Sequence, residues 1–198
     1  MSEPERYART LVEAYLYISL TASAAGLGDD VPRDVRAETT LTEGADAWTL
    51  RYTGSGDAPR IEVLVRYATE AEARQDDLRF GSGVSTLLDA GQWLQIAAVY
   101  ARRALREGLF FAQDPTGEDR YLSVVDGWEL ARDATVEAAK FLPADADEVP
   151  ATAVWTEMGT SAREESPERF TRDRIESDIA FCGQSLDDFR RLHGARWS

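Results

Sequence analysis

The stretch Leu88-Asp89-Ala90-Gly91-Gln92-Trp93 constrains the fold more tightly than any other point in the chain. Asp89 at an N-cap with Gln92 three residues later makes a capping box, each side chain reaching the other's backbone amide, and Leu88 and Trp93 are spaced to staple the helix entry. Downstream, Trp93, Ile96, Ala97, Tyr100 and Ala104 recur at helical spacing, while Leu94, Ala98, Ala101 and Leu105 widen the stripe. So broad an apolar stripe must be covered from more than one side, which predicts a central helix ending at a left-handed cap on Gly108. The rest of the chain has to supply its partners.

Helical patterns fill the C-terminal part. Leu122, Val125, Trp128, Arg132, Val136 and Ala139 predict a helix over 119–141, stopped by Pro143. Pro150 opens a third through Met158, and Ser166 with Pro167 starts a fourth, carrying Phe170, Arg174, Ile175, Ile179 and Phe181 on one face. After Gly183, a box of Ser185 and Asp188 predicts a short last helix holding Leu186, Phe189 and Leu192.

The first eighty residues follow a different period. Residues 35–42 are rich in β-formers, Trp48, Leu50 and Tyr52 alternate with polar neighbours, and so do Ile61, Val63, Val65 and Tyr67. Gly44 and residues 54–59 supply the turns. At the N-terminus both periods fit: Tyr7, Leu11, Ala14 and Ile18 keep helical spacing, yet Leu16, Ile18 and Leu20 alternate with Tyr15, Tyr17 and Ser19. The reading adopted is a short helix to about Val12, a strand over 14–21 and a loop over 24–32. The expected fold is α+β: an N-terminal helix and a small antiparallel β-meander of about four strands in residues 1–80, followed by and packed on a helical bundle of four to five helices in residues 81–198, all in one compact unit.

Charge and residue inventory then restrict function. Thirty-six acidic against 22 basic residues give a net charge of −14, spread over both halves, which disfavours nucleic acid and anionic membranes as partners. No apolar run approaches the roughly 20 residues of a membrane helix. With no secretory signal visible and a single cysteine, Cys182, a cytoplasmic protein without disulfides is expected.

Catalytic types are scarce: one histidine, His193, one cysteine, Cys182, and one lysine, Lys140. A nucleophile needs a nearby base, and His193 lies near the chain end, where it is read as a C-terminal helix residue favoured by the helix dipole. Cys182 is read as a buried inert thiol. One Cys and one His cannot build a zinc site, so neither metal nor cofactor is expected. Asp145, Asp147 and Glu148, like Asp29 and Asp30, lack the spacing of an EF-hand and read as solvated acidic loops. Gly81-Ser82-Gly83 lacks the lysine of a phosphate loop and reads as a turn.

Aromatic residues beside carboxylates remain. Trp93, Trp128 and Trp155 stand on three predicted helices, the last two next to Glu129 and Glu157. Convergent faces would make a substrate pocket in which Tyr100, Glu129 and Glu157 carry acid–base chemistry, a buried Glu having its pKa raised. The plainer reading puts the indoles in the core and the glutamates in solvent.

The segment Phe80-Gly-Ser-Gly-Val-Ser-Thr-Leu-Leu-Asp-Ala-Gly-Gln-Trp-Leu94 resembles a family of actinobacterial proteins of uncharacterised activity. These have a zinc-ribbon-like β-region with two Cys-x-x-Cys-Gly knuckles, followed by helices. The resemblance covers about residues 13–100 and implies a strand at Glu13-Ala-Tyr-Leu-Tyr-Ile-Ser-Leu20, with knuckle turns at residues 22–26 and 54–60. Both turns lack cysteine here, so what it implies is a degenerate zinc ribbon in which packing replaces metal. An actinobacterial source also fits the basic residues, 21 of 22 being arginine, as a GC-rich genome would encode.

Two functions fit these features. The first is a non-catalytic acidic binding protein, of the immunity-protein or antitoxin kind, engaging a basic protein partner through Asp145, Asp147 and Glu148. The alternative is a cofactor-independent enzyme of specialised metabolism acting on a small hydrophobic ligand in the aromatic pocket.

Overall fold

The computed structural model describes residues 5–23, 32–54 and 60–196. Its architecture is α+β, with a four-stranded sheet and, among the described residues, six α-helices. The chain forms two compact units that divide between Leu88 and Asp89, later than the expected boundary at residue 80.

In the first unit the strands are β1 (Tyr7–Ala8), β2 (Thr39–Glu43), β3 (Ala47–Thr53) and β4 (Arg60–Arg66), in the order β1-β4-β3-β2. The last three form the expected antiparallel meander, with Leu41 opposite Leu50 and Leu50 opposite Val63. β1 is parallel to β4, so the sheet is mixed rather than purely antiparallel. Alternation does what the pattern foretold: Leu50 and Tyr52 of β3 and Ile61, Val63 and Val65 of β4 are buried in one core.

Residues 14–21 are not a strand. They belong to helix α1 (Leu11–Ala22), capped by Thr10, whose side chain accepts from the Glu13 amide at 3.2 Å. Ala14 and Ile18 of α1 join the sheet core, and Leu16, Ser19 and Leu20 are buried too. A helix covered around most of its circumference has no polar face to reveal its period, so alternation and helical spacing matched equally well. The short helix expected before Val12 is likewise replaced by β1. The strand that the zinc-ribbon resemblance implies at 13–20 is therefore helical, and residues 24–26 and 55–59 of its two turns lie outside the described residues.

A further helix, α2 (Tyr67–Gln75), follows β4 where none was expected. Its buried Glu70 accepts from the Leu11 amide at 2.8 Å, satisfying one of the donors that every helix start leaves open. Gly81 has φ +91, and a Cβ there would stand 2.7 Å from the Cβ of Arg9, whose guanidinium donates to the Gly83 carbonyl at 2.5 Å. The 81–83 segment is thus a turn packed around Arg9.

The second unit is helical. α3 (Ala90–Gln113) and α4 (Glu118–Ala139) run antiparallel, with Arg103 donating to Ser123, and α4 in turn packs antiparallel to α6 (Arg172–His193). Ala104, Val124, Trp128, Ala131, Cys182 and Leu186 form the shared core. The Asp89–Gln92 capping box is present in both directions, and Leu88 and Trp93 are fully buried.

Four expected boundaries moved. α3 continues through Gly108, because Phe111 is needed in an aromatic cluster with Tyr121, Phe189 and His193. α6 continues through Gly183, because Cys182 and Leu186 are one turn apart in the same core, and Ser185 and Asp188 cap nothing. Pro150 opens only a single 3₁₀ turn, and α5 (Glu157–Glu165) begins beyond it with Thr156 as its cap. Ser166 and Pro167 likewise open a 3₁₀ turn, Pro167–Phe170, before α6. No helix among the described residues is long and apolar enough to cross a membrane.

Candidate functional site

Two helices of the second unit turn matching faces toward one cavity. Leu94, Ala97, Ala98, Ala101 and Arg102 follow the i, i+3, i+4, i+7, i+8 spacing on α3, and Arg174, Ser177, Asp178, Phe181 and Cys182 repeat it on α6. Alanine at three of the α3 positions keeps that wall low, so a groove of about 550 Å³ stays open between the helices. Such a volume suits a small organic ligand. Thr135 of α4 lines it too, its hydroxyl already donating to the Ala131 carbonyl at 2.8 Å, and Arg169 enters from the 3₁₀ turn before α6.

The lining is cationic over an apolar base. Arg102, Arg169 and Arg174 line it together with one carboxylate, Asp178, in a chain whose net charge is −14. Arg169 donates to the Leu94 carbonyl at 2.6 Å, which fixes its guanidinium against α3. Burial lowers its pKa from the ordinary arginine value; Asp178 opposes the shift, and Arg174 and Arg102 add to it by repulsion. The Arg174 Nε donates to both oxygens of Asp178, at 2.9 and 3.0 Å. An incoming anion would relieve the crowding of like charge and would meet planar, multiply donating groups.

Cys182 lines the same cavity with a buried thiol, its pKa raised to about 11, mainly by desolvation and further by Asp178, against a lowering by Arg132. Its burial is as expected, and a thiol that keeps its proton is a poor nucleophile. Phe181 is 54% exposed at the rim and meets Trp128 edge-on at 5.7 Å.

The residues singled out from sequence are distributed differently. None of Trp93, Trp128 and Trp155 lines this cavity. Trp93 and Trp128 are buried, whereas Trp155 is half exposed and packs against Phe141 at 5.9 Å. Tyr100 is half-buried against the helical core, Glu129 is bound by Arg190 on α6, and Glu157 is exposed in the first turn of α5. His193 closes α6 as expected, packed against the rings of Phe111 and Phe189.

Asp145, Asp147 and Glu148 are exposed on the loop after α4. Arg172 clamps that loop from the start of α6, its guanidinium donating to the carbonyls of Pro143 at 2.7 Å and Ala146 at 2.8 Å, while its amide donates to the Asp147 carbonyl at 2.7 Å. Glu148 also pairs with Arg163 at 3.6 Å. Asp29 and Asp30 lie outside the described residues. Among the described residues, no group of three or more His, Cys, Asp or Glu side chains is placed to hold a metal ion.

Sequence reasoning missed the arginines. Their signal lies in the two matched helical faces, one rich in alanine and both carrying arginine, within a chain whose overall charge is negative. No protein-family model, curated protein or solved structure matches this chain.

Proposed function

We propose that the helical unit is a binding module for a small anionic molecule with an apolar portion, seated between α3 and α6. The observation that carries this reading is the convergence of Arg102, Arg169 and Arg174 on a cavity whose remaining wall is largely alanine, leucine and phenylalanine. Charged heads are selected by the guanidiniums, and the apolar portion gains from covering Ala98, Ala101 and Phe181. The test is calorimetric titration of aromatic carboxylates against their neutral amides. Carboxylates are expected to bind at least about tenfold tighter, a preference worth roughly 1.4 kcal/mol. Equal binding of the amides, or carboxylate binding unchanged in an R102Q/R174Q double variant, would overturn the reading.

A second reading, association with a basic protein through Asp145, Asp147 and Glu148, is supported by the Arg172 clamp, which presents these carboxylates from a fixed loop. A fixed display lowers the entropy lost on association, and the net charge of −14 would speed encounter with a basic surface. It predicts complex formation with a basic partner that weakens as salt rises and is lost in a D145N/D147N/E148Q variant. Association indifferent to both salt and these substitutions would remove it.

A further inference from the structure

We infer that β2 is a self-association edge, on which a second copy of this chain pairs antiparallel about a two-fold axis at Leu41. β2 stands at one end of the strand order, with only β3 beside it. Which way its backbone points follows from the turn. The Gly44 amide donates to the Ala47 carbonyl at 2.9 Å, so those two residues form a bonded pair. Bonded and non-bonded pairs alternate along an antiparallel ladder. Thr42 opposite Thr49 and Thr40 opposite Arg51 therefore turn their amides and carbonyls toward β3, whereas Thr39, Leu41 and Glu43 turn theirs outward. The far side of the sheet keeps the same phase, the Leu64 amide donating to the Arg6 carbonyl at 2.8 Å. The Thr39 amide is taken by the Arg36 carbonyl. The edge is left with the amides of Leu41 and Glu43 as donors and the carbonyls of Thr39, Leu41 and Glu43 as acceptors. Among the described residues, none bonds to them.

This edge lacks the devices that keep strands of different molecules apart. All five residues of β2 pair with β3 without a bulge, none is proline or lysine, and three are β-branched threonines. Leu41 lies on the same face as its buried partner Leu50, yet is 44% exposed at the sheet margin. The sequence of β2, Thr39-Thr-Leu-Thr-Glu43, selects its own copy as the occupant. With the axis at Leu41, the two leucines lie side by side and Thr40 faces Thr42 of the second copy. Each Leu41 amide then donates to the other Leu41 carbonyl, and each Glu43 amide to a Thr39 carbonyl, which satisfies both open donors. The Glu43 carboxylates stand at opposite ends of the paired segment, roughly 13 Å apart along the strands. Moving the axis to Thr42 sets Glu43 against Leu41 and brings the carboxylates onto one diagonal, about 7–8 Å apart. So short an edge buries little area, so the dimer is weak and forms at high concentration. With a net charge of −14 on each copy, salt strengthens it, the opposite of a contact with a basic partner.

The test is sedimentation velocity of the full chain from about 5 µM to about 500 µM, at about 0.05 M and about 0.5 M salt. The parent is expected to move from monomer toward dimer across that range, and further at the higher salt. L41P and E43P each remove an outward amide and take no bond from the β2–β3 ladder. Each should weaken dimerisation at least about tenfold while nearly holding the thermal unfolding midpoint, and E43P, at the strand end, decides the matter should L41P unfold. T42P, whose amide bonds β3, should instead lower the midpoint. Register is read by cross-linking single cysteines in a C182A background. L41C should form a disulfide dimer at least about tenfold faster than T39C or E43C, since only at the axis do equivalent residues approach within the roughly 4.4–6.8 Å between Cα atoms that a disulfide spans. A parent that stays monomeric over the whole range overturns the inference. A dimer that survives in E43P at parental strength places the contact elsewhere and also overturns it, as does cross-linking no faster at position 41 than at positions 39 and 43.

Discussion

Asp89 holds Thr156 across 67 residues of chain, and in doing so caps two helices with one carboxylate. Its Oδ1 accepts from the Gln92 amide at 2.8 Å, in the first turn of α3. Its Oδ2 accepts from the Thr156 amide and hydroxyl, both at 2.7 Å, and from the Trp155 amide at 2.9 Å, just where α5 begins. The Thr156 hydroxyl in turn accepts from the Gly159 amide at 3.0 Å. A motif that looks local in the sequence is therefore a tertiary fastening, and its carboxylate is fully buried.

Replacing Asp89 with alanine leaves the amides of Gln92, Trp155 and Thr156, together with the Thr156 hydroxyl, without their acceptor at a junction that is buried on the α3 side and part-buried on the α5 side. Unpaired buried donors cost about 1–3 kcal/mol each before relaxation, so a loss of about 4 kcal/mol is expected for D89A. T156V removes one bond to the carboxylate and the α5 cap, and should cost about 2 kcal/mol. Urea unfolding would measure both. A D89A midpoint close to that of the parent would show that the fastening contributes little.

The same junction makes glycine indispensable at two positions, whereas two glycines elsewhere are dispensable. A Cβ on Gly91 would stand 2.5 Å from the Gly159 Cα, and one on Gly159 would stand 2.4 Å from Asp89 Oδ1, so α3 and α5 approach through bare backbone. G91A and G159A should each destabilise by about 3 kcal/mol, the first by overpacking against the Gly159 backbone and the second by displacing the buried Asp89 carboxylate. Gly108 and Gly183 lie inside helices with nothing within 4 Å of an added Cβ. G108A and G183A should therefore stabilise by about 0.5–1 kcal/mol through helix propensity. The opposite signs within one set of four Gly→Ala changes are read from thermal unfolding midpoints.

What the sequence disclosed follows from how local each signal is. The β2–β3–β4 meander and the α3 start were legible because alternation at Leu50/Tyr52 and Ile61/Val63, and the Asp89–Gln92 box, are each written within a few residues. α1 was misread because Leu16, Ile18 and Leu20 are all buried, which erases the difference between the two periods. The helix ends expected at Gly108 and Gly183 failed because Phe111 and Leu186 have tertiary partners that outweigh a glycine's preference for a cap. The cavity was least visible. Arg169 stands 75 residues from the Leu94 carbonyl it binds, and no spacing rule links the two.

Asp178 should restrain the site it lines. Its carboxylate neutralises Arg174 and favours the charged form of Arg169, so D178N raises the positive field without altering side-chain size. Anion affinity is expected to rise about threefold to tenfold at low salt and to converge on the parent value as salt screens the added charge. Affinity unchanged at all salt concentrations would mean that the ligand does not feel this carboxylate.

Phe181 offers a separate handle on the apolar part of the ligand. It is 54% exposed, so F181A gives up little core packing and should cost about 1 kcal/mol of stability at most. A bound aromatic probe would lose one wall, and its affinity should fall by about tenfold while that of inorganic phosphate stays level. Equal losses for both probes would show that the ring supports the fold of the site rather than contacting the ligand.

Cys182 reports on the cavity from inside. Burial, with Asp178 adding and Arg132 opposing, raises its thiol to about 11, so the thiolate needed for reaction is scarce near neutrality. Disulfide-exchange reagents at about pH 8 should label the unfolded chain, whose thiol has a pKa of about 8.5, far faster than the native one. Because the native state holds its proton to higher pH, the thiol's contribution to stability is complete below the unfolded pKa and is lost as pH rises toward about 11. The parent should therefore lose stability more steeply than C182A across that alkaline interval. Saturating phenyl phosphate should slow native labelling further, since Cys182 shares the cavity with Arg102, Arg169 and Arg174. Labelling as fast in the native protein as in denaturant would contradict the burial on which this depends, and labelling unaffected by the probe would place the probe outside the cavity.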